Sequence, residues 1–191
     1  PYLERIAPAS VLSEVLDDRR KLEELCGTPV VGMSYPFGTH NPQVIELLRS
    51  CGIVYSRTTA SHGSFALPDE FLLWHPTCHH SHDLDAKAEA FLNLAPYREL
   101  SLFYVWGHAY EFDREEPSNN WKLIEAFCEK VSGRDDIWYA TNLEIFEYVA
   151  ALRSLVISVD GKLLRNRSGL ALWVQADGKP VKIPAGAGVT L

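Results

Sequence analysis

The chain has no Cys-x-x-Cys pair, no basic excess, no internal repeat, no low-complexity tract and no apolar run of membrane-spanning length. Each absence narrows the choice. Four cysteines, Cys26, Cys51, Cys78 and Cys128, stand far apart, two of them closing predicted helices at core-like positions. They read as reduced thiols, a usage that leans towards the cytoplasm. A formal net charge of -7 argues against nucleic acid or an anionic membrane as partner, since both call for a basic patch that releases counterions or meets lipid charge. A membrane span needs about 20 apolar residues in sequence, and none is present. Methionine is also missing from the first position, which is Pro1. The expectation is therefore of a protein that begins upstream, where any export signal would also lie.

What remains is ordinary globular composition: 191 residues, 47% hydrophobic and 23% charged, enough for one domain with a sizeable core and a small appendage. Val11, Leu12, Val15, Leu22 and Leu25 recur at helical spacing between Ser10 and Cys26, and Gly27 and Pro29 stop the helix. Val30 to Tyr35 is a short strand ending in the turn Pro36-Phe37-Gly38-Thr39. Asn41 then caps a helix with Pro42 at its first position and Val44, Ile45, Leu47 and Leu48 on its buried face, and Ile53 to Ser56 is the next strand. Alternating helices and strands on short connections predict an α/β fold with a parallel sheet wrapped by helices.

Phe71 to Trp74 reads as a further strand, followed by His75-Pro76-Thr77-Cys78-His79-His80-Ser81-His82 and a helix from Leu84 to Leu94. Leu102 to Trp106 is an unbroken apolar run, predicted as a strand buried on both faces, which stops at Gly107 and delivers His108, Tyr110 and Glu111 at its carboxyl end. That end carries the chemistry in α/β barrels and open α/β sheets. A solvated loop at Glu115, Glu116 and Pro117 precedes a helical stripe of Trp121, Ile124, Phe127, Cys128 and Val131. Ile137 to Tyr139 is a last short strand, and Thr141 with Glu144 forms a capping box. After Arg153 the period changes to two. Strands at 155–159, 170–174 and 181–183, with hairpin turns at Asp160-Gly161 and Asp177-Gly178, predict an antiparallel β appendage over 154–191.

Four of the seven histidines fall between positions 75 and 82, and the imidazole preference of zinc makes His75, His79, His80 and His82 candidate metal ligands. On an extended loop adjacent histidines point apart, so His79 and His80 are expected not to grip one ion easily. A polar pocket lining is the competing reading. His108 is a candidate general acid or base, because its ordinary pKa lies near neutrality and a strand end holds it rigidly, with Glu111 and Asp113 placed to orient it. A lone histidine is more often a satisfied hydrogen-bonding group.

Ser34-Tyr35-Pro36-Phe37-Gly38, followed by Asn41 to Leu48 and Gly52-Ile53, is similar to the third motif of the polysaccharide deacetylase family, the NodB-like carbohydrate esterases. Val105-Trp106-Gly107-His108 resembles that family's last motif, an apolar strand delivering a general-acid histidine. His79 and His80 occupy the place of its fourth motif without its Asp and Trp pattern. The resemblance covers residues 1–153 and not the hairpin tail. Ser34 stands where many members have an arginine. Neither the first motif, with an aspartate base and an aspartate ligand, nor the second, with its His-x-x-x-His ligands, stands ahead of the Tyr-Pro-Phe-Gly turn, and Pro1-Tyr2-Leu3 looks like the sequence directly after that second motif.

The resemblance implies an incomplete (β/α) barrel over 1–153, and a hydrolase that removes acetyl groups from N-acetylated glycans. In the intact protein a divalent metal ion, expected to be zinc, would activate water, His108 would protonate the leaving amine, and Tyr35, Pro36, Phe37, Gly38, Trp74, Trp106 and Tyr110 would bind the sugar. The fragment, with only His79 and His80 as candidate ligands, holds either that ion or none. It is expected to be inactive alone and to associate with itself or with a missing N-terminal part through open sheet edges. Two rivals stand beside this reading. One is a carbohydrate-binding or scaffold module without catalysis; the other is a hydrolase with its own metal at His79, His80 and His82.

Overall fold

Pro8 opens helix α1 (Pro8–Cys26), where a proline in the first turn forfeits no hydrogen bond, and Gly27, left-handed at φ 67°, closes it by donating its N–H to the Glu23 carbonyl. Only the first half of its stripe is covered. Val11 and Val15 are buried, whereas Leu25, expected in the core, is 83% exposed. The computed structural model describes residues 1–95, 100–114, 116 and 119–191, a mixed α/β structure in two units, Pro1–Ile137 and Trp138–Leu191.

In the first unit β1 (Gly32–Ser34) pairs in parallel with β2 (Tyr55–Arg57), Met33 opposite Ser56. The connection is helix α2 (Pro42–Ser50), capped as its sequence requires: the Asn41 side chain accepts from the Val44 N–H at 2.8 Å. Gly32 is needed here, since a Cβ on it would fall 1.9 Å from the Tyr55 ring. A parallel bridge from Arg57 to Trp74 carries the ladder on, and β3 (Cys78–His79) pairs in parallel with β4 (Val105–Trp106) across helix α3 (Leu84–Leu92). Parallel pairing brings the carboxyl ends to one edge, which receives Tyr35, Thr58, His80 and His108 in turn. Among the described residues β1 and β2 form one two-stranded sheet and β3 and β4 another.

Two predicted strands change form. Phe71–Leu73 is a 3-10 turn, because the Glu70 carboxylate caps the Leu72 N–H at 3.0 Å and the Glu70 carbonyl takes the Leu73 N–H. Its apolar residues serve the core all the same: Phe71 and Tyr55 set ring edges against the fully buried Trp74. The run Leu102–Trp106 is half-buried rather than covered on both faces, with Val105–Trp106 paired to β3 and the Leu102 N–H donating to the Phe65 carbonyl at 2.7 Å. Phe103 packs instead among Phe65, Phe91 and Phe127. Phe127 belongs to helix α4 (Trp121–Val131), which Asn120 caps. Of the expected loop at Glu115, Glu116 and Pro117, the first and last lie outside the described residues. Leu3, Val11, Val15, Tyr35, Val44, Leu48, Cys51, Ile53 and Leu72 make the core. Cys51 and Cys78 are buried free thiols, whereas Cys26, expected to be core-like, is exposed. No helix among the described residues is long and apolar enough to cross a membrane.

The second unit begins earlier than the change of period suggests. Residues 137–139 form no strand, and helix α5 (Asn142–Arg153), opened by the expected Thr141 and Glu144 capping box, groups with the hairpins rather than with the parallel strands. The division thus falls before Trp138, not after Arg153. The reason is packing: Ala151 of α5 is buried with Leu164, Leu172 and Ile183, and the Tyr148 hydroxyl accepts from the Trp173 N–H at 3.1 Å. β5 (Val156–Ile157), β6 (Leu163–Arg165) and β9 (Gly188–Thr190) form one antiparallel sheet, and β7 (Leu172–Ala176) pairs with β8 (Lys179–Ile183) through the expected Asp177-Gly178 turn. Both turn residues are left-handed, at φ 48° and 75°, which suits a two-residue hairpin.

Asn166, fully buried, ties these strands together. Its Nδ2 donates to the Leu170, Ile183 and Pro184 carbonyls at 2.7, 3.3 and 3.0 Å, and its Oδ1 accepts from the Ser168 N–H and hydroxyl. Asn166→Asp turns a buried donor towards three carbonyls into an acceptor, and we expect it to cost about 3 kcal/mol or more at neutral pH. Hydrogen exchange should show lost protection over residues 163–190 with residues 1–57 unchanged, partly regained at low pH as the aspartate protonates.

Candidate active site at the carboxyl edge

The chain leaves β4 at Gly107 and enters a 3-10 turn, Ala109–Arg114. Three residues per turn bring position 111 back under position 108. The Glu111 N–H donates to the His108 carbonyl at 3.1 Å, and the side chains meet, His108 Nδ1 lying 3.3 Å from Glu111 Oε1. The other carboxylate oxygen turns inward. Oε2 is 3.1 Å from His79 Nε2 and 2.9 Å from His80 Nε2. One carboxylate thus lies within 3.3 Å of three imidazoles and is hydrogen-bonded to that of His108.

The two adjacent histidines converge, contrary to the extended-loop expectation. β3 ends at His79, and the chain turns back at once, the His82 N–H donating to the His79 carbonyl at 3.0 Å, so the rings lie 4.2 Å apart and 36° from parallel. His80 is the buried one, 3% exposed, its N–H fixed to the Trp106 carbonyl at 2.9 Å and its ring against Phe112. Gly107 makes room for it: a Cβ there would fall 1.7 Å from His80 Cδ2. His79 sits edge-on to Trp106, with Nδ1 2.8 Å from the Ser81 hydroxyl.

Burial pushes the pKa of His79 below the ordinary histidine value, helped by neighbouring His80 and only partly opposed by Glu111. Burial does the same to His80, again against the pull of Glu111. Burial also acts to raise Glu111, but the surrounding histidines outweigh it and hold the carboxyl below the ordinary glutamate value. Neutral imidazoles around an ionised carboxylate are the state these shifts favour near pH 7.

His80, Trp106, Gly107, His108 and Ala109 line an open hollow of about 410 Å³, with the Arg57 guanidinium 4.8 Å from the Trp106 ring centre at its side. The sugar-binding candidates divide. Trp106 lines the hollow, and Tyr110, 57% exposed, lies with its ring 5.2 Å from that of His108. Trp74 and Tyr35 are core residues, 0% and 3% exposed, and lie out of reach of a sugar ring. The Tyr35 hydroxyl donates to the Leu72 carbonyl at 2.7 Å, and burial pushes its pKa up to about 12. Pro36, Phe37 and Gly38 stand at the same edge but do not line the hollow. Phe37, left-handed at φ 58°, stacks on Tyr2 at 4.2 Å, and Gly38 accommodates the Thr59 side chain.

The remaining histidines are apart from the cluster. His75 and His79 have the i, i+4 spacing of a ligand pair, yet His75 Nδ1 is 2.6 Å from the Thr58 hydroxyl and His79 faces Glu111. His82 is exposed, its ring 5.5 Å from His79. Asp113 accepts from the Trp121 indole N–H at 2.8 Å and does not orient His108. Glu111 was expected beside His108 alone; its contact with His79 and His80 could have been sought in the His108-x-x-Glu111 spacing, but nothing in sequence joins it to residues thirty positions earlier. His79, His80 and Glu111 each offer a ligand atom within 4.8 Å of the others. No protein-family profile, curated protein or solved structure matches the chain.

The depressed histidines set a sign for acid sensitivity. Their unfolded values, near 6.5, exceed their folded ones, so the unfolded chain takes up protons first and stability present above pH 6.5 declines as pH falls below it. Glu111 adds a further loss below its ordinary value of 4.5. Urea midpoints measured from pH 7.5 to 5 should fall for the wild type, and His80→Gln should flatten that slope.

Proposed function

We propose that the first unit belongs to a hydrolase of the polysaccharide deacetylase type, acting on N-acetylated sugars, within a (β/α) barrel of which these parallel strands are a part. One observation carries the reading: His108, half-exposed at the carboxyl end of β4, borders the hollow with Nδ1 held by Glu111, which leaves Nε2 as the nitrogen to meet a substrate. A histidine so oriented can give a proton to a departing amine, while Trp106 and Tyr110 offer apolar faces to a sugar ring. Supporting the reading further are the two sequence stretches, Ser34–Gly38 and Val105–His108, that resemble the family's motifs and each follow or contain a parallel strand.

Acetamide hydrolysis also needs an activated water and a base for its proton, and the family draws both from an aspartate and metal ligands that precede the Tyr-Pro-Phe-Gly turn. Residues 1–33 contain no histidine, and the aspartates there, Asp17 and Asp18, are both exposed on α1. His108 alone cannot reach such a transition state. Residues 1–191 should release no acetate from an N-acetylated chito-oligosaccharide. A form of the protein that carries those residues should release it, with His108→Ala lowering kcat by about 10²–10⁴-fold and leaving KM nearly unchanged. Acetate release that survives His108→Ala would overturn the assignment. The exposure of Tyr110 beside Trp106 favours, as a second reading, a carbohydrate-binding module without chemistry; sugar binding with no acetate release from any form of the protein is its signature.

A further inference from the structure

Within the cluster of Glu111 and its histidines, His80 is the residue whose surroundings do not close. Its side chain is 4% exposed, yet among the described residues neither ring nitrogen is aligned for a hydrogen bond, and Glu111 Oε2 is likewise buried without one. The two atoms are 2.9 Å apart, a hydrogen-bonding distance, but their directions are wrong for a shared proton. A buried imidazole nitrogen and a buried carboxylate oxygen so placed carry a desolvation penalty that their mutual attraction offsets only in part.

The geometry points to a divalent-cation site of the zinc class formed by His79 Nε2, His80 Nε2 and Glu111 Oε2. In a tetrahedral zinc site with bonds of about 2.0–2.1 Å, neighbouring ligand atoms stand roughly 3.3 Å apart. Oε2 lies 3.1 and 2.9 Å from the two nitrogens, and the three residues each offer a ligand atom within 4.8 Å of the others. Two imidazoles and one carboxylate select a borderline ion over magnesium or calcium, which prefer oxygen donors throughout. One outer group is also in place. Glu111 Oε1 remains on His108, so the carboxylate is shared between ion and imidazole. Three protein ligands leave a fourth position for water, whose pKa such an ion lowers.

This site differs from the ligands that the family resemblance implies, and it concerns binding alone. Ion binding without acetate release leaves it standing, and acetate release without ion binding here removes it while sparing His108. The test titrates the chelator-stripped chain with zinc by calorimetry and with cobalt by visible absorption. One ion per chain, with the d–d bands of a four- or five-coordinate cobalt centre, is expected. Glu111→Gln and His80→Gln should weaken binding by more than about 100-fold, beyond what loss of an outer-shell group costs, while His82→Ala should leave it within about twofold. Absence of binding, equal affinity in Glu111→Gln, or an equal loss in His82→Ala overturns the site. Should the two glutamine variants fail to fold, imidazole ¹⁵N spectra of the wild type decide: zinc must shift Nε2 of His79 and His80 and spare His75, and spectra unchanged by zinc reject it.

Discussion

The carboxylate of Glu111 is the point on which the candidate site depends. An ionised carboxylate drawn out of water is costly unless it is paired, and here its partners come from three places: the last residue of β3, the turn after it, and the start of the 3-10 turn beyond β4. None of the three imidazoles would take up its position for local reasons alone. His79 and His80 would diverge on a straight strand, and His108 would be one more exposed ring. The carboxylate gives them a common neighbour, 2.9 to 3.3 Å from each ring, and the site is the consequence.

The fold's contribution is to bring those segments to one edge. Short βαβ connections through α2 and α3 make the strands parallel, and parallel strands deliver their carboxyl ends together. The second unit is built by different means. Its strands are short, much of their surface is exposed, and a single buried amide, Asn166, ties three carbonyls and a neighbouring serine into one arrangement. A polar side chain there does what a larger apolar core does in the first unit.

Much of this was legible in the sequence where the signal is local. Gly27, the Asn41-Pro42 pair, the Thr141 and Glu144 box and the Asp177-Gly178 turn each announce a backbone geometry that few other residues permit, and each stands where expected. Apolar runs were less telling, because hydrophobicity without periodicity marks burial and not conformation. Phe71–Leu73 reached the core as a turn once Glu70 capped it, and Leu102–Trp106 stayed half-covered. The packing of helix α5 is illegible for a similar reason: its cap is written locally, but its partners, Leu172 and Ile183, lie twenty residues and more further on. Within the site, His108 and its i+3 carboxylate were readable. The convergence of His79 and His80 on the same group was not, since it depends on a sharp reversal after β3 and on the space above Gly107.

That space has a consequence for how the chain can vary. The hydrogen atom of Gly107 faces the imidazole of His80, and a methyl group there would occupy the same volume as the ring. The two positions therefore form a lock and its key blank. Any side chain at 107 evicts the ring, and once residue 80 has shrunk the constraint on 107 relaxes, so that a later return of histidine is barred. Drift at this pair would run in one direction only, and a lineage that crossed it would keep the parallel strands while permanently discarding the cluster they support.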